Sequence, residues 1–246
     1  MDVFTTAASW LLDPTNWTGP GGIGVRLLEH IALAMISLLI AVAIALPVGV
    51  WIGHTGRGAV LAVNLANLGR ALPSLAVIGI VLPITAALDP ELGFKVYPVL
   101  IAMVILAVPP ILVNAHAGVS GVDRDLVEAG RAMGMREPQL VRRVEVPIGA
   151  PVIIGGVRSA AAQIIATLTL GAIFAGPGLG RFLVEGIAQQ DDGMIFAGVA
   201  LVAALSLLSE LIFATLGRLL VSPGLRAQSI GAPWQIPKPR AVADPG

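Results

Sequence analysis

The sequence of 246 residues contains no cysteine, only two lysines, only eleven aromatic residues and no excess of either charge. The absence of cysteine excludes disulfides, thiol catalysis and cysteine-ligated metals. With 15 basic and 15 acidic residues, the chain lacks the basic excess that is typical of nucleic-acid-binding proteins. Charged residues make up 12% of the chain and hydrophobic residues 56%, against ~25% and ~45–50% in a typical soluble domain. The composition therefore indicates a membrane protein.

Long uncharged runs predict an all-α membrane protein with about five spanning helices. A helix needs ~20 mainly apolar residues to cross the ~30 Å hydrocarbon core. Residues 31–52 and 96–113 are uncharged runs of 22 and 18 residues. The runs 58–88 and 147–180 each contain a single arginine, and a sixth span in either of them is the alternative. The predicted spans cover about residues 28–53, 71–88, 96–115, 150–175 and 193–217.

The distribution of basic residues predicts the orientation of the chain. An odd number of spans divides the loops into two sets, of which one contains twelve basic residues and the other only Arg26, Lys95 and Arg181. The positive-inside rule assigns the first set to the cytoplasm, so we expect the N-terminus outside and the C-terminus inside. The predicted segments are an external interfacial strap at 1–23, a transmembrane domain at 24–221 and a proline-rich cytoplasmic tail at 222–246.

The polar loop between the third and fourth predicted spans, residues 120–147, has the pattern of a helix–turn–helix. Asp123 is suited to cap a first helix and Gly134 to end it. Glu137-Pro138 begins a second short helix, because proline is favoured in the first helical turn. Pro147 is expected to end that second helix, after which the fourth span begins.

The first helix of this loop has one predicted apolar face, too small to form a core of its own. The three- and four-residue spacing that defines the face is followed by Leu126, Ala129, Gly130 and Met133. A surface of this kind is expected to dock on a partner. Glu128 has two interpretations from spacing alone: a contact with that partner, or a surface charge that pairs with Arg124 or Arg131 along the helix.

The same loop resembles the signature of binding-protein-dependent ABC importer permeases. That signature reads E-A-A, three residues, G, nine residues, I, one residue and L-P. This chain has Glu128-Ala129-Gly130, Gly134, Val144 and Val146-Pro147 at the same spacings, with Gly130 for the second alanine and valine for isoleucine and leucine. The resemblance implies a type I ABC importer permease fold, in which coupling helices dock in a groove of the ATPase. It implies that role for Glu128, Ala129, Gly130, Gly134 and Pro147.

Two further segments resemble the osmoprotectant branch of that family, whose permeases serve glycine betaine, carnitine, choline or proline. Residues 70–76 are similar to its T-I-P-S-L-A-L stretch, and residues 174–180 to a glycine-rich segment after the fourth span. The resemblance covers about residues 22–217 and implies a permease of a prokaryotic cytoplasmic membrane that imports a compatible solute by alternating access. An importer of amino acids is one alternative, and an autonomous secondary transporter or channel is the alternative from a different class.

Polar residues inside the predicted spans are candidates for lining the solute pathway, although such residues also join helices in membranes. The candidates are Ser74, Pro83, Gln163, Thr167 and Thr169, with a helix break expected at Pro83. Glu210 is the one carboxylate deep in a predicted span. We expect it to form a structural pair with Arg70 or Arg158, and a proton or solute site is the alternative.

The chain lacks the motifs of an ATPase or of another enzyme. Neither Lys95 nor Lys238 follows a glycine, so no G-x-x-x-x-G-K-[ST] phosphate-binding loop exists. We expect no catalytic residue, metal or cofactor in this chain, and ATP on a partner subunit. The resemblance implies three partners within or beside the membrane lipid: an ABC ATPase, an extracellular or periplasmic solute-binding protein, and a second permease chain, identical or paralogous.

Overall fold

The structure, a computed structural model, describes residues 3–60, 64, 67 and 72–220. No β-strand occurs in this part of the chain. The α-helices are α1 (Val3–Leu12), α2 (Ile23–Thr55), α3 (Ser74–Leu88), α4 (Leu92–Lys95), α5 (Tyr97–Ser120), α6 (Arg124–Ala132), α7 (Glu137–Leu140), α8 (Val146–Leu168), α9 (Gly180–Gln189) and α10 (Asp192–Leu220). Short 3₁₀ helices lie at Pro14–Trp17 and Thr169–Phe174, and a π-helical segment lies at Val141–Glu145.

Within the described residues, four helical stretches are long and apolar enough to cross a membrane. They are α2, α5, α10 and the continuous stretch of 38 residues from Glu137 to Phe174. The predicted span 71–88 corresponds to α3, whose 15 residues measure only ~22 Å. Its predicted first residue, Ala71, lies outside the described residues, as does the predicted tail 222–246. The all-α class is confirmed.

The predicted helix break at Pro147 is wrong. α7 continues through the π-helical segment into α8, in which Pro147 is the second residue. The N–H of Val146 donates to the carbonyl of Val141, five residues earlier, so the hydrogen-bond ladder widens immediately before the proline. Proline has no N–H to contribute, and the missing donor is accommodated where the hydrogen-bond pattern changes at the π-helical segment. The helix therefore runs on as one continuous element.

The core of the bundle consists of α2, α5 and α8, with α3 packed on α5 and α10 packed on α8. Its buried positions include many small side chains: Ala41, Ala45, Ala102, Ala107, Ala160 and Ala161. Small residues let helix backbones approach closely, which is how membrane helices gain contact where lipid provides no hydrophobic driving force. One close approach joins α5 to α8, where a Cβ built on Gly149 would lie 2.5 Å from the carbonyl oxygen of Gly118.

The two ends of the bundle differ in composition. The Trp10 end comprises α1, α4, α9, the first turns of α2 and the start of α10. There Trp10 packs edge-to-face on Phe182, with ring centroids 5.3 Å apart. The His54 end comprises the last turns of α2 and α5 together with α6, α7 and the π-helical segment. A small apolar cluster of Val122, Val127 and Leu140 holds the His54 end together.

An ion pair joins α8 to α10. Arg158 of α8 donates two hydrogen bonds to Glu210 of α10. This is one of the two pairings predicted for Glu210, and the other candidate, Arg70, lies outside the described residues. Charged side chains within spans are costly unless they are paired. The pair therefore gives the carboxylate of Glu210 a structural role in holding α10 against α8.

Candidate functional site

The turn between α6 and α7 forms as its sequence predicts. The Asp123 carboxylate accepts a hydrogen bond from the backbone N–H of Asp125 and so caps α6. Gly134 has φ +82°, in the left-handed region that favours glycine. The N–H of Gly134 donates to the carbonyl of Arg131, and the N–H of Met135 donates to that of Gly130. These two bonds form a Schellman motif, and Gly134 is confirmed as the residue that ends α6.

Of the four residues of the predicted apolar face, only Gly130 is buried within this chain. Val127 and Gly130 are buried, and a Cβ on Gly130 would lie 2.5 Å from the Cδ2 atom of Leu140. Leu126 is 51% exposed and Met133 is 77% exposed. The hairpin turn brings Leu140 against only the Val127 and Gly130 side of α6. The other apolar residues of α6, with Ala129 between them, are left as a second face that this chain does not cover.

A chain of four polar side chains ties α6 and α7 to the end of the first spanning helix. His54 of α2 contacts two carboxylates: its Nδ1 lies 2.7 Å from Oε2 of Glu145, and its Nε2 lies 3.1 Å from Oε2 of Glu137. Glu137 also accepts hydrogen bonds from Nε and a terminal nitrogen of Arg131, at 2.9 and 3.0 Å. We call Arg131, Glu137, His54 and Glu145 the His54 cluster. It connects α6, α7, the π-helical segment and α2.

The His54 cluster is buried at one side and exposed at the other. The Glu145 side chain is 6% exposed and that of His54 is 13% exposed, whereas those of Arg131 and Glu137 are about half exposed. The hydrogen bonds and charge of Glu137 raise the pKa of the Arg131 guanidinium above its ordinary value. Removing His54 would leave the buried carboxylate of Glu145 without its hydrogen-bond partner, which is strongly unfavourable.

Glu128 does not pair with Arg124 or Arg131 in the described structure, because Arg131 turns to Glu137 instead. Glu128 is exposed on α6 and lines a cleft of about 310 Å³ together with Arg124, Arg131, His54 and Glu145. Ala129 is exposed beside it, whereas Pro147 lies on the exposed surface at the start of α8. Four of the five predicted coupling residues, Glu128 to Gly134, are thus on α6 or its terminal turn, and Pro147 is beyond the π-helical segment.

The predicted pathway residues lie on three different elements: α3, α8 and the 3₁₀ helix at Thr169–Phe174. Gln163 and Thr167 are four residues apart on α8 and are not buried, and the Thr169 hydroxyl donates to the carbonyl of Ala166 at 2.7 Å. Ser74 is the first residue of α3. No hydrogen bond joins Ser74 to this group in the part of the chain that the structure describes. The pathway assignment therefore stays a prediction.

The expected break at Pro83 is wrong. α3 continues unbroken through Pro83, which is exposed. The ring removes one N–H from the hydrogen-bond ladder of α3. Membrane helices tolerate such prolines when nearby hydroxyl groups and neighbouring elements support the local backbone. Here the Thr85 hydroxyl donates to carbonyls of its own helix and, at 2.6 Å, to that of Gly93.

Sequence analysis missed the His54 cluster. His54 and Glu145 are 91 residues apart along the chain, so no helical spacing relates them. The one available signal was that His54 follows an uncharged run at a predicted membrane boundary, which is equally consistent with an isolated polar residue at the interface. Only the packing of α2 against α5 and α8 brings these side chains together.

The turn at Gly134 gives a direct test of the geometry of this site. A residue with a branched Cβ in the left-handed region costs ~1–2 kcal/mol or more, so Gly134→Val is expected to loosen the turn. Tryptic cleavage after Arg131 and Arg136 in purified membranes should then be about tenfold faster, since ~1.4 kcal/mol changes an opening equilibrium tenfold. Gly134→Asn is the matched control, because asparagine tolerates this conformation. Equal cleavage rates in the two variants would contradict the assigned strain.

Comparison with known proteins places this fold and this loop in one family. The family model of the binding-protein-dependent transport system inner membrane component matches residues 41–222. The chain is 31% identical over 209 residues to the choline transport system permease protein OpuBB of Bacillus subtilis, covering 85% of this chain and 93% of that protein. It is 30% identical over 198 residues to the osmoprotectant import permease protein OsmW of Salmonella typhimurium, covering 80% and 91%.

Solved structures support the same fold. A chain of the MetNI methionine ABC transporter in an inward-facing conformation superimposes with a TM-score of 0.71 at 21% identity, covering 79% of this chain and 94% of that chain. An amino acid ABC transporter gives a TM-score of 0.58 at 18% identity, covering 89% and 97%. At these identities the likeness establishes the type I ABC importer permease fold and not the solute. The family model matches most of the length of the chain. The chain therefore belongs to the binding-protein-dependent transport system inner membrane components.

Proposed function

We propose that this permease subunit imports a small osmoprotectant, such as glycine betaine, choline, carnitine or proline, in an ATP-driven importer. The relatives named above, which are aligned over most of this chain, include a choline permease and an osmoprotectant permease. A third relative, the glycine betaine/carnitine/choline permease OpuCB of Bacillus subtilis, is 29% identical over 198 residues. The solute class rests on these relatives, since the described residues include no aromatic cage for a quaternary ammonium ion.

In this proposal the His54 end faces the cytoplasm and the Trp10 end faces outward. The basic residues support this orientation: Arg57, Arg124, Arg136, Arg142 and Arg143 are at or beside the His54 end, as the positive-inside rule requires. The Trp10 end then receives the solute-binding protein. Four or five spans cannot enclose a wide pathway alone, so two permease chains, identical or paralogous, line it together.

The observation that carries the coupling role is the uncovered apolar face of α6, which lies at the His54 end. Leu126 and Met133 are seven residues apart, so they lie on the same side of the helix, and both are more than half exposed. Two large apolar side chains that are exposed on the same side of a helix in a polar loop indicate a surface that a partner covers. In this proposal an ABC ATPase subunit covers them, ATP remains on that subunit, and Glu128 contacts the same partner at the edge of the cleft.

The His54 cluster provides the route by which movement of α6 reaches the spans. α8 is continuous with α7, and His54 links both to α2. A displacement of α6 therefore moves α2 and α8, two of the three core helices, together. Alternating access then follows from ATP-driven closure of two ATPase subunits, which opens the pathway outward, and from their release, which opens it inward.

The test is a mild-detergent pull-down of the tagged chain from its native membrane, with mass spectrometry of the associated proteins. The chain is expected to retain an ATP-binding cassette protein, and the double variant Leu126→Asp/Met133→Asp is expected to lose it, because two carboxylates cannot be buried in an apolar interface. Asp125→Ala, exposed on the same helix, is the matched control and should retain the partner. In cells, the double variant should lose uptake by at least about tenfold, the effect of ~1.4 kcal/mol.

Two results would contradict the proposed function. A chain that is isolated alone, in a preparation that preserves known complexes, would favour an autonomous transporter or channel. Retention of the ATPase by the double variant would show that this face of α6 is not the docking surface. Uptake assays with labelled glycine betaine, choline, carnitine and proline test the solute class separately, and uptake of an amino acid instead would place the chain with another importer specificity.

A further inference from the structure

The Trp10 end is acidic, yet its basic residues are gathered in one pocket. Its described residues include seven acidic side chains: Asp13, Glu29, Asp89, Glu91, Glu185, Asp191 and Asp192. The basic residues at this end are Arg26, Lys95 and Arg181, and all three line a single open pocket of about 570 Å³ between α2, α4 and the turn that precedes α9. This volume is within the range of small-molecule sites. If the basic residues were distributed at random over this acidic surface, we would not expect all three to lie in one pocket.

The ion pairs around the pocket leave one positive charge uncompensated. Arg181 donates from Nε to Oε1 of Glu185 at 2.7 Å, and Arg26 lies 3.2 Å from Oε2 of Glu29 and 3.6 Å from Oε1 of Glu185. Two glutamates therefore balance two arginines. Lys95 forms no ion pair with any residue in the described ranges. A free ammonium group in the wall of a pocket attracts an anionic group.

Two hydrogen-bonding atoms at the pocket also lack partners. The Nε of Arg26 is buried and has no acceptor among the described residues. The Oε2 atom of Glu29 accepts two hydrogen bonds, one from Arg26 and one, at 2.9 Å, from the backbone N–H of Gly178. The Oε1 atom of Glu29 accepts no hydrogen bond from the described part of the chain. The Nε of Arg26 is enclosed by the protein, so a solute in the open pocket does not contact it. The pocket thus presents the free ammonium group of Lys95 beside one free carboxylate oxygen of Glu29.

We propose that this pocket is a binding site for a small zwitterionic solute, with the carboxylate of the solute held by Lys95 and its cationic group directed to Glu29. The inference rests on the proposed function, because the orientation places the pocket on the side from which solutes arrive. A carboxylate pairs with the free ammonium group of Lys95, and charge-assisted bonds are roughly twice as strong as neutral ones. A cation without a carboxylate, such as choline, leaves Lys95 unpaired and gains only the contact with Glu29.

Saturation-transfer NMR of the trimethylammonium signal tests this proposal on the permease–ATPase complex in lipid nanodiscs, without the solute-binding protein. Glycine betaine and choline are the probes, since both carry this group and only glycine betaine has a carboxylate. Glycine betaine is expected to bind at least about tenfold more tightly than choline. Lys95→Gln should remove that preference, and Glu91→Gln, at the same end but outside the pocket, should leave it unchanged.

The outcomes separate this site from the proposed function. Equal affinities for the two probes in the wild-type complex, or an unchanged preference in Lys95→Gln, would overturn the site. Thermal unfolding of both variants serves as a control for folding, and Lys95 has no ion pair in the described structure whose loss would destabilise the chain. The complex could instead bind glycine betaine in preference to choline as expected and yet import no osmoprotectant in cells. That result would overturn the proposed function but not the carboxylate-binding site.

Discussion

Gly149→Ala is expected to lower the free energy of unfolding by about 3 kcal/mol, the upper part of the range for overpacked cores. The added Cβ would lie 2.5 Å from the carbonyl oxygen of Gly118 and 2.6 Å from its carbonyl carbon. Both of these atoms are backbone, so no side chain can rotate away. α5 and α8 must separate, and the separation also weakens the contacts of the neighbouring alanines. Unfolding of the purified chain in mixed detergent micelles, followed by circular dichroism, measures the change.

Gly155→Ala is the matched control for this prediction. Gly155 lies on the same helix, six residues after Gly149, and a Cβ built on it meets no atom within 4 Å. Alanine is also the better helix former by ~1 kcal/mol, so this variant should be as stable as the wild type or more stable. Equal destabilisation in the two variants would mean that helix propensity, and not the close approach of α5 to α8, determines the result.

His54→Ala is expected to lower uptake by at least about tenfold and the free energy of unfolding by ~3 kcal/mol, the cost of leaving one member of a buried charged pair without its partner. Glu145, with a side chain 6% exposed, would lose its hydrogen bond to His54. Glu137 would keep Arg131 but lose its link to α2. Uptake in cells and unfolding of the purified chain are measured on the same variant, with membrane abundance as the reference.

The double variant His54→Leu/Glu145→Leu separates stability from transmission. Replacing both partners by apolar side chains of similar volume removes the unpaired carboxylate, and such replacements are often neutral or stabilising. We therefore expect it to recover most of the stability but little of the uptake, since α2 is no longer linked to Glu137. Full recovery of uptake would show that the His54 cluster only stabilises the fold and does not carry movement from α6 to α2.

Patterns between near neighbours in the sequence predicted most of the loop at the His54 end. Asp123 and Gly134 were assigned correctly because a cap and a left-handed turn depend on backbone groups within about four residues. The predicted face of Leu126, Ala129, Gly130 and Met133 is buried within this chain only at Gly130. A helical period tells which residues lie near each other, but which of them are buried depends on where Leu140 packs.

Pro83 and Pro147 also show what a local sequence pattern cannot predict. Pro83 and Pro147 were expected to break helices, because a proline in isolation removes a hydrogen bond from the ladder. The widening of the helix at Val141–Glu145 lets α7 continue past Pro147, and the exposed position of Pro83 lets α3 continue past it. Neither circumstance is visible in a local pattern, since the first depends on the path of the whole helix and the second on which face has neighbours.

The sequence by itself determined the membrane class, the approximate spans, the turn of the helical hairpin at the His54 end and the family, because apolar run length, charge distribution and motif spacing are local properties of the chain. Tertiary structure alone decided that His54 joins Glu137 and Glu145, that Arg158 is the partner of Glu210, and that three cations share one pocket at the Trp10 end. These contacts join residues 50 to 150 positions apart, and only the packing of the helices sets such distances.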